Sequence, residues 1–326
     1  MTSYALRRLG SAALLLLLVA SVVFVLVHLL PGDATLDDPR LPAAQRAAIR
    51  HAFGLDRSLA AQYLAWVENL LLRFDWGTSF TYRRSVLAVL GDALPASALL
   101  ALAALPLQYA LGLLLGVAAA RRAGGATDHL LRVASLTLYS LPVYWLGIVG
   151  ILLFAVHWPL FPAGQMHAPG AASLGAAAHF ADLGRHLALP ALVLALANAG
   201  GIGRLVRNSL LEQLDQEYVR AARARGLAEP RVLWRHALPN ALPALLQTFG
   251  TELPALLAGA LTVEVVFSWP GMGRLAYGAL LQRDYPVVLG WTCCNALLVL
   301  LGGLLADLLH HATDPRLRAR QELRRA

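Results

Sequence analysis

The chain has 326 residues, of which 58% are hydrophobic and only 14% charged, with a mean hydropathy of +0.59. A soluble domain carries about 25% charged residues; here the apolar residues come in long blocks, which suit lipid as the solvent. All 27 cationic residues are Arg, set against 19 acids for a net charge of +8. They fall between apolar blocks and form no stripe on a soluble face, which argues against nucleic acid as a partner.

A membrane crossing needs about 20 helical residues. Six stretches qualify in chain order: Leu9–Leu30, Leu94–Ala120, Val133–Val156, the shorter Leu187–Gly203, Ala241–Phe267 and Tyr285–Ala306. Apolar periodicity cannot separate lipid-facing from core-facing sides here, so length and flanking charge carry the assignment. Arg7-Arg8 before the first stretch suggests a signal peptide. However, the apolar run is longer than a signal core and no small-x-small cleavage site follows, so a retained helix is expected. In the long segment 31–93, Leu41–Phe53 is helix-compatible with Gly54 as its stop, and Ser58 suits the cap of a second helix reaching about Phe74.

Arg placement sets the expected orientation. Arg7 and Arg8, then Arg121, Arg122 and Arg132, then the Arg residues from 204 to 235, then Arg316, Arg318, Arg320, Arg324 and Arg325 all fall on one side of a six-span chain. That side is the cytoplasm, with both termini in it. Segment 31–93 has seven Arg and seven acids and is long enough to translocate regardless of charge. The expected organisation is residues 1–30 as N-terminus and first span, 31–93 as an extracytoplasmic (periplasmic) loop, 94–310 as a five-helix core, and 311–326 as a cytoplasmic tail.

Much chemistry is missing. Without any Lys there is no Walker A phosphate loop, and neither His-Glu-x-x-His nor Gly-x-Ser-x-Gly occurs. No catalytic, metal-binding or cofactor-binding residue is assigned. Cys293 and Cys294 are adjacent in an apolar run and read as packing residues.

The segment between the fourth and fifth stretches is the most informative. It runs from Glu217-Tyr218-Val-Arg220-Ala221-Ala222-Arg223-Ala-Arg225-Gly226-Leu227 through Pro230 to His236-Ala-Leu-Pro239-Asn240. Gly226 suits a left-handed helix stop and Pro230 the first turn of a second helix, so a helix pair is expected. Small residues at 221, 222 and 224 permit close approach of another backbone, and the flanking Arg residues suit partner carboxylates. On physical grounds alone, a basic amphipathic loop lying on anionic lipid fits equally well.

The pattern Ala221-Ala222…Gly226…His236…Leu238-Pro239 resembles the ATPase-coupling loop of ABC-importer permeases. The rest of the chain resembles the first permease subunit of the dipeptide, oligopeptide and nickel family. The shared motifs are Pro31-Gly32-Asp33, Asp75-Trp-Gly77-Thr-Ser79, Leu141-Pro142-Val-Tyr-Trp145, Val263-Glu264 through Trp269-Pro270-Gly271-Met-Gly273-Arg274, Arg283-Asp284-Tyr285-Pro286, and Asp314-Pro315-Arg316. Arg220 stands where the general signature has Glu, and His236 where it has an aliphatic residue.

The resemblance implies an all-α type I permease fold with six transmembrane helices in a bacterial inner membrane, without enzymatic activity of its own. It implies a second permease, two ATPases that bind ATP and Mg, and an extracytoplasmic binding protein as partners. It also implies a coupling loop, 207–240, in which Gly226 shapes the turn, Ala221 and Ala222 pack, and Arg223 and Arg225 pair with acids. Small peptides are the expected cargo, with nickel or a metal chelate as the alternative. An ion-coupled secondary transporter is the alternative from another class, though no internal repeat supports it.

Polar residues within the stretches complete the candidates. A charge in hydrocarbon is costly and tends to face a bundle interior or a wet path. Glu252 is therefore a candidate path residue, with Asn198 and Asn295 as lesser ones. Glu264 reads as structural, and Trp158, Trp269 and Tyr285 as members of an interfacial aromatic belt.

Overall fold

The protein is described by a computed structural model covering residues 2–29, 42–52, 54–257 and 260–313. The motifs at 31–33 and 314–316 and the Arg residues of the tail lie outside the described residues. The described residues are helical apart from connecting segments, the longest at 73–85 and 158–170, and one isolated bridge between Thr78 and Ser85. In order the elements are α1 (Thr2–Leu29), α2 (Ala43–Ala52), α3 (Leu59–Leu72), α4 (Val86–Arg121), α5 (Ala126–Ser140) and α6 (Val143–Ile151). A π turn (Leu152–His157) and a 3-10 turn (Ala171–Ser173) lead to α7 (Ala176–Leu214), α8 (Glu217–Ala224) and α9 (Glu229–Arg231). A second π turn (Val232–Ala237) leads to α10 (Leu238–Leu257), α11 (Leu261–Val266), α12 (Met272–Leu281) and α13 (Tyr285–Thr313).

Helices α4, α7 and α13 are long and apolar enough to cross a membrane, and α5 with α6 and its π turn pass as a bent pair. Expectation and structure differ at three places. The third stretch is not straight: it breaks at Leu141-Pro142 and turns by 97°. Pro142 has no N–H to continue a helix and disfavours helical geometry in the residue before it. The fifth stretch ends as α10 at Leu257, and α11 begins separately at Leu261. The second stretch begins at Val86 rather than Leu94, capped by Ser85, whose Oγ accepts from the Ala88 N–H at 3.3 Å. The two short helices of segment 31–93 form as expected, with Gly54 at φ +68° and Ser58 Oγ accepting from the Ala61 N–H at 3.4 Å.

The core is a pair of long helices in close contact. Gly112 and Gly116 of α4 lie against Ile202 and Val206 of α7, where an added Cβ would come within 2.4 Å and 2.5 Å of the facing side chains. Between helices in lipid, such small residues allow the dispersion contacts that water expulsion drives in soluble proteins. Gly200 does the same against α5: a Cβ there would sit 2.2 Å from the Ser135 carbonyl oxygen. Gly200→Ala is therefore expected to destabilise the chain by about 1–3 kcal/mol through overpacking. The measurement is the thermal unfolding midpoint in detergent, and an unchanged midpoint would contradict this close approach.

At the end opposite the Arg clusters, the quoted motifs lock onto one another. Asp284 is fully buried and accepts from Ser79 Oγ at 2.5 Å and from the Phe80 and Thr81 N–H groups at 3.1 and 3.0 Å. Glu264 is also fully buried. Its carboxylate accepts from Ser97 Oγ at 2.6 Å and from the N–H groups of Gly273 and Arg274 at 2.7 and 3.0 Å. Those N–H groups open α12, where a helix favours negative charge. Trp269 does not belong to an aromatic belt: it is fully buried in the core and donates Nε1–H to the Ala96 carbonyl at 2.8 Å. Tyr285 is likewise buried, whereas Trp158 is half exposed and suits a belt.

Candidate functional site

The Arg-rich end is built on α7, α8 and the helical run from Glu229. Gln216 precedes α8 in extended geometry, and Glu217 places an acid in its first turn, complementing the helix dipole. Gly226 ends the helix at φ +77°, in the left-handed region that favours glycine. The Gly226 N–H donates to the Arg223 carbonyl at 2.9 Å and the Leu227 N–H to the Ala222 carbonyl at 3.4 Å. These bonds close the last carbonyls in the manner of a glycine C-cap. Pro230 then sits in the first turn of α9.

The second helix of the pair is not a separate piece. From Glu229 the chain runs through α9 and the π turn directly into α10, so the surface loop and the bundle helix are one helical rod. Val219 and Ala222 of α8, both fully buried, pack with Val232, Leu233 and Ala237 of the rod and with Val206 and Leu210 of α7. A push on α8 therefore falls on two long bundle helices.

This packing divides the sequence-predicted residues. Ala222 points into its own chain and is unavailable to a partner, while Ala221 is exposed, as are Glu217, Arg225, Gly226 and Pro239. Tyr218 is partly exposed and donates its hydroxyl to Gln213 Oε1 at 2.9 Å. Leu227 and His236 are half-buried, and the His236 carbonyl accepts from Asn240 Nδ2 at 2.8 Å. Arg223 already has an acid in its own chain: its guanidinium donates to Glu229 at 2.7 and 3.2 Å. This bidentate pair holds the Glu229 carboxyl below its ordinary value and ties the two helices across the turn. Sequence reasoning missed Trp234, which stands half exposed in the π turn amid the basic residues. Its amphipathic setting beside Arg235 was the available signal.

Deeper in the bundle, Glu252 of α10 is half-buried and faces Gln108 of α4. Gln108 is fully buried. Among the described residues, neither its amide N nor its O closes a hydrogen bond of ordinary geometry. Beside them the Tyr109 hydroxyl meets Thr248 Oγ1 at 2.8 Å. Asn198 donates to the Leu194 carbonyl of its own helix at 3.2 Å. Asn295 lines an apolar groove of about 260 Å³ between α13 and α1, with Leu15, Leu16 and Val19. Glu252, Asn198 and Asn295 thus share no hydrogen bond or cavity among the described residues.

Comparison with known proteins gives the family. Residues 112–319 match the family described as binding-protein-dependent transport system inner membrane component, and residues 1–101 match that system's N-terminal membrane-component family. The chain is 35% identical over 320 residues to the oligopeptide transport system permease protein AppB of Bacillus subtilis, covering 97% of this chain and 99% of the relative. It is 37% identical over 334 residues to the di/tripeptide transport system permease protein DppB of Pseudomonas aeruginosa, covering 98% and 99%. A chain of the MetNI methionine ABC transporter, solved in inward-facing conformations, shares the fold with a TM-score of 0.53 at 18% identity, covering 70% of this chain and 97% of that one. Six ordered motifs, a glycine-capped helix pair on a bundle of long helices, and a family match across the core together place the chain: it belongs to the binding-protein-dependent transport system inner membrane components, the non-catalytic permeases of bacterial ABC importers.

Proposed function

We propose that the chain is the first permease subunit of an ATP-driven importer of di- or oligopeptides. The relatives named above are peptide permeases along almost the whole chain, which favours peptides over nickel or a metal chelate. Membership of a binding-protein-dependent family sets aside the ion-coupled secondary transporter. The chain pairs with a second permease, and two ATPases and an extracytoplasmic binding protein complete the complex. Six crossings, by α1, α4, the bent α5–α6 pair, α7, α10 and α13, put both termini and the Arg clusters in the cytoplasm.

The observation that carries the mechanism is the single rod from Glu229 to Leu257, clamped to α8 by Val219 and Ala222. Ala221, Arg225, Gly226 and Trp234 form the exposed face that seats in an ATPase groove. Closure of the ATPases on ATP moves α8. The rod carries that movement to α10 and rocks the permease pair between inward-open and outward-open states. Glu252 is the path residue we retain, because Asn198 is engaged within its own helix and Asn295 faces α1.

Reconstitution into liposomes with the second permease, the ATPases and the binding protein tests this. Uptake of labelled tri-alanine is expected only with internal ATP and external binding protein together. Uptake driven by an ion gradient without the ATPases would overturn the reading.

A further inference from the structure

Glu252 is the lone charge at mid-depth in the described bundle. Between Asp92 and Arg121 α4 has no charged residue; neither does the bent pair between Arg132 and His157, nor α7 between His186 and Arg204. Helix α13 has none from Tyr285 to Gly303. At 1.5 Å per residue, Glu252 lies about 20 Å along α10 from its Arg-rich end, and Gln108 lies about 20 Å along α4 from the same end. Among the described residues, no cation is paired with Glu252 at that level.

Among the described residues the neighbours of Glu252 are neutral: the Gln108 amide, and the Tyr109 hydroxyl bonded to Thr248. A fully buried amide with neither end in a hydrogen bond of ordinary geometry is costly and calls for an explanation. Gln108 fits the role of a reserve: it is engaged by nothing else and is positioned to hold Glu252 when the carboxylate turns to a ligand. The half-buried state of Glu252 leaves one side of it reachable.

We propose that Glu252 is a cation station in the translocation path that receives the free ammonium group of a passing peptide, with Gln108 as its positioning residue. The station rests on the import reading given above and adds the chemical feature it selects, an unblocked amino terminus. The missing countercharge is then supplied by the cargo itself, which accounts for an intramembrane carboxylate with no cationic partner among the described residues. Because the counter-ion leaves with each turnover, the station is empty between cycles and repels no second cargo. The contact is one charge-assisted hydrogen bond in a poorly hydrated setting, strong enough to select and weak enough to release.

The test uses the assembled importer in proteoliposomes, with tri-alanine at sub-saturating concentration. Glu252→Gln keeps the shape and removes the charge, and uptake is expected to fall about tenfold or more, the size of a lost hydrogen bond to a charged group. The second permease should still co-purify. Gln108→Leu should also slow uptake, and combining both changes should be no worse than Glu252→Gln alone, since the two act as one unit. Unchanged uptake by Glu252→Gln would identify a neutral, structural carboxyl and overturn the proposal. Loss of the second permease on purification would also overturn it, by assigning the carboxylate to a pair between subunits. Additive losses would overturn the role given to Gln108. Absence of ATP-dependent uptake by the unaltered complex is a separate result, which removes the import reading on which the station rests.

Discussion

Replacing Gly226 with Trp is expected to leave the chain folded and membrane-inserted while abolishing peptide-stimulated ATP hydrolysis by the assembled complex. The cost to folding is confined to the backbone: a non-glycine residue at φ +77° is disfavoured by about 1–2 kcal/mol. The first carbon of a side chain has room, since an added Cβ meets nothing within 4 Å. The indole would instead project from the exposed face between α8 and α9, where the ATPase groove must fit. Gly226→Ala provides the control, because it shares the backbone cost without the bulk. The measurement pairs ATPase co-purification with stimulated hydrolysis. Loss with Trp and near-normal behaviour with Ala would place the turn at the interface. Equal loss in both would locate the effect in the turn's geometry, and normal coupling with Trp would remove the turn from the interface altogether.

The second large effect is expected at Asp128. It sits in the first turn of α5, almost fully buried, and accepts from Arg207 Nε and Nη2 of α7 at 2.7 Å each. The Gly124 N–H adds a third bond at 2.9 Å. Asp128→Asn leaves a guanidinium facing a neutral amide. Breaking a buried pair from one side costs about 3–5 kcal/mol. Arg207 keeps 17% side-chain exposure, so the lower part of that range is expected. Thermal unfolding in detergent should drop clearly. Asp128→Asn with Arg207→Met should recover part of the loss, because no charge is then stranded. A single variant as stable as the unaltered chain would show that water already shares the load. Arg207 lies on α7 ahead of α8, so looser coupling should accompany the lost stability.

The features that sequence analysis reached are those with a local cause. Gly226, Pro230 and Ser58 each act through their own backbone neighbours, and the turn, the helix start and the cap stand where local chemistry puts them. Features that depend on a partner in space were not legible. Ala221 and Ala222 are adjacent and chemically identical, yet one faces out and the other packs on Val232 and Leu233. Only the rod's position decides which. The 97° bend at Pro142 was hidden because the stretch from Val133 to Val156 carries no charge on either side of it, so its spanning length reads the same straight or bent. Trp269 looks like an interfacial anchor by type, but a carbonyl at Ala96 gives its indole a buried partner. Glu252 was legible as an anomaly because charge in lipid is rare at any register. That its neighbour Gln108 closes no hydrogen bond of ordinary geometry among the described residues required the packing of α4 on α10.

The wiring of the end opposite the Arg clusters has a consequence for recombination between relatives. Asp284 depends on a loop more than two hundred positions earlier in the chain, with Ser79 205 residues away from it, and Glu264 depends on Ser97, 167 residues away. A hybrid permease whose crossover falls between α4 and α11 would draw these partners from two parents. If one parent lacks the serine of a pair, the hybrid buries a carboxylate without its hydroxyl donor. Viable hybrids should then be those in which residues 79, 97, 264 and 284 come from one parent. The turn around Gly226 closes its own bonds between Ala222 and Glu229, so it should transplant as a cassette.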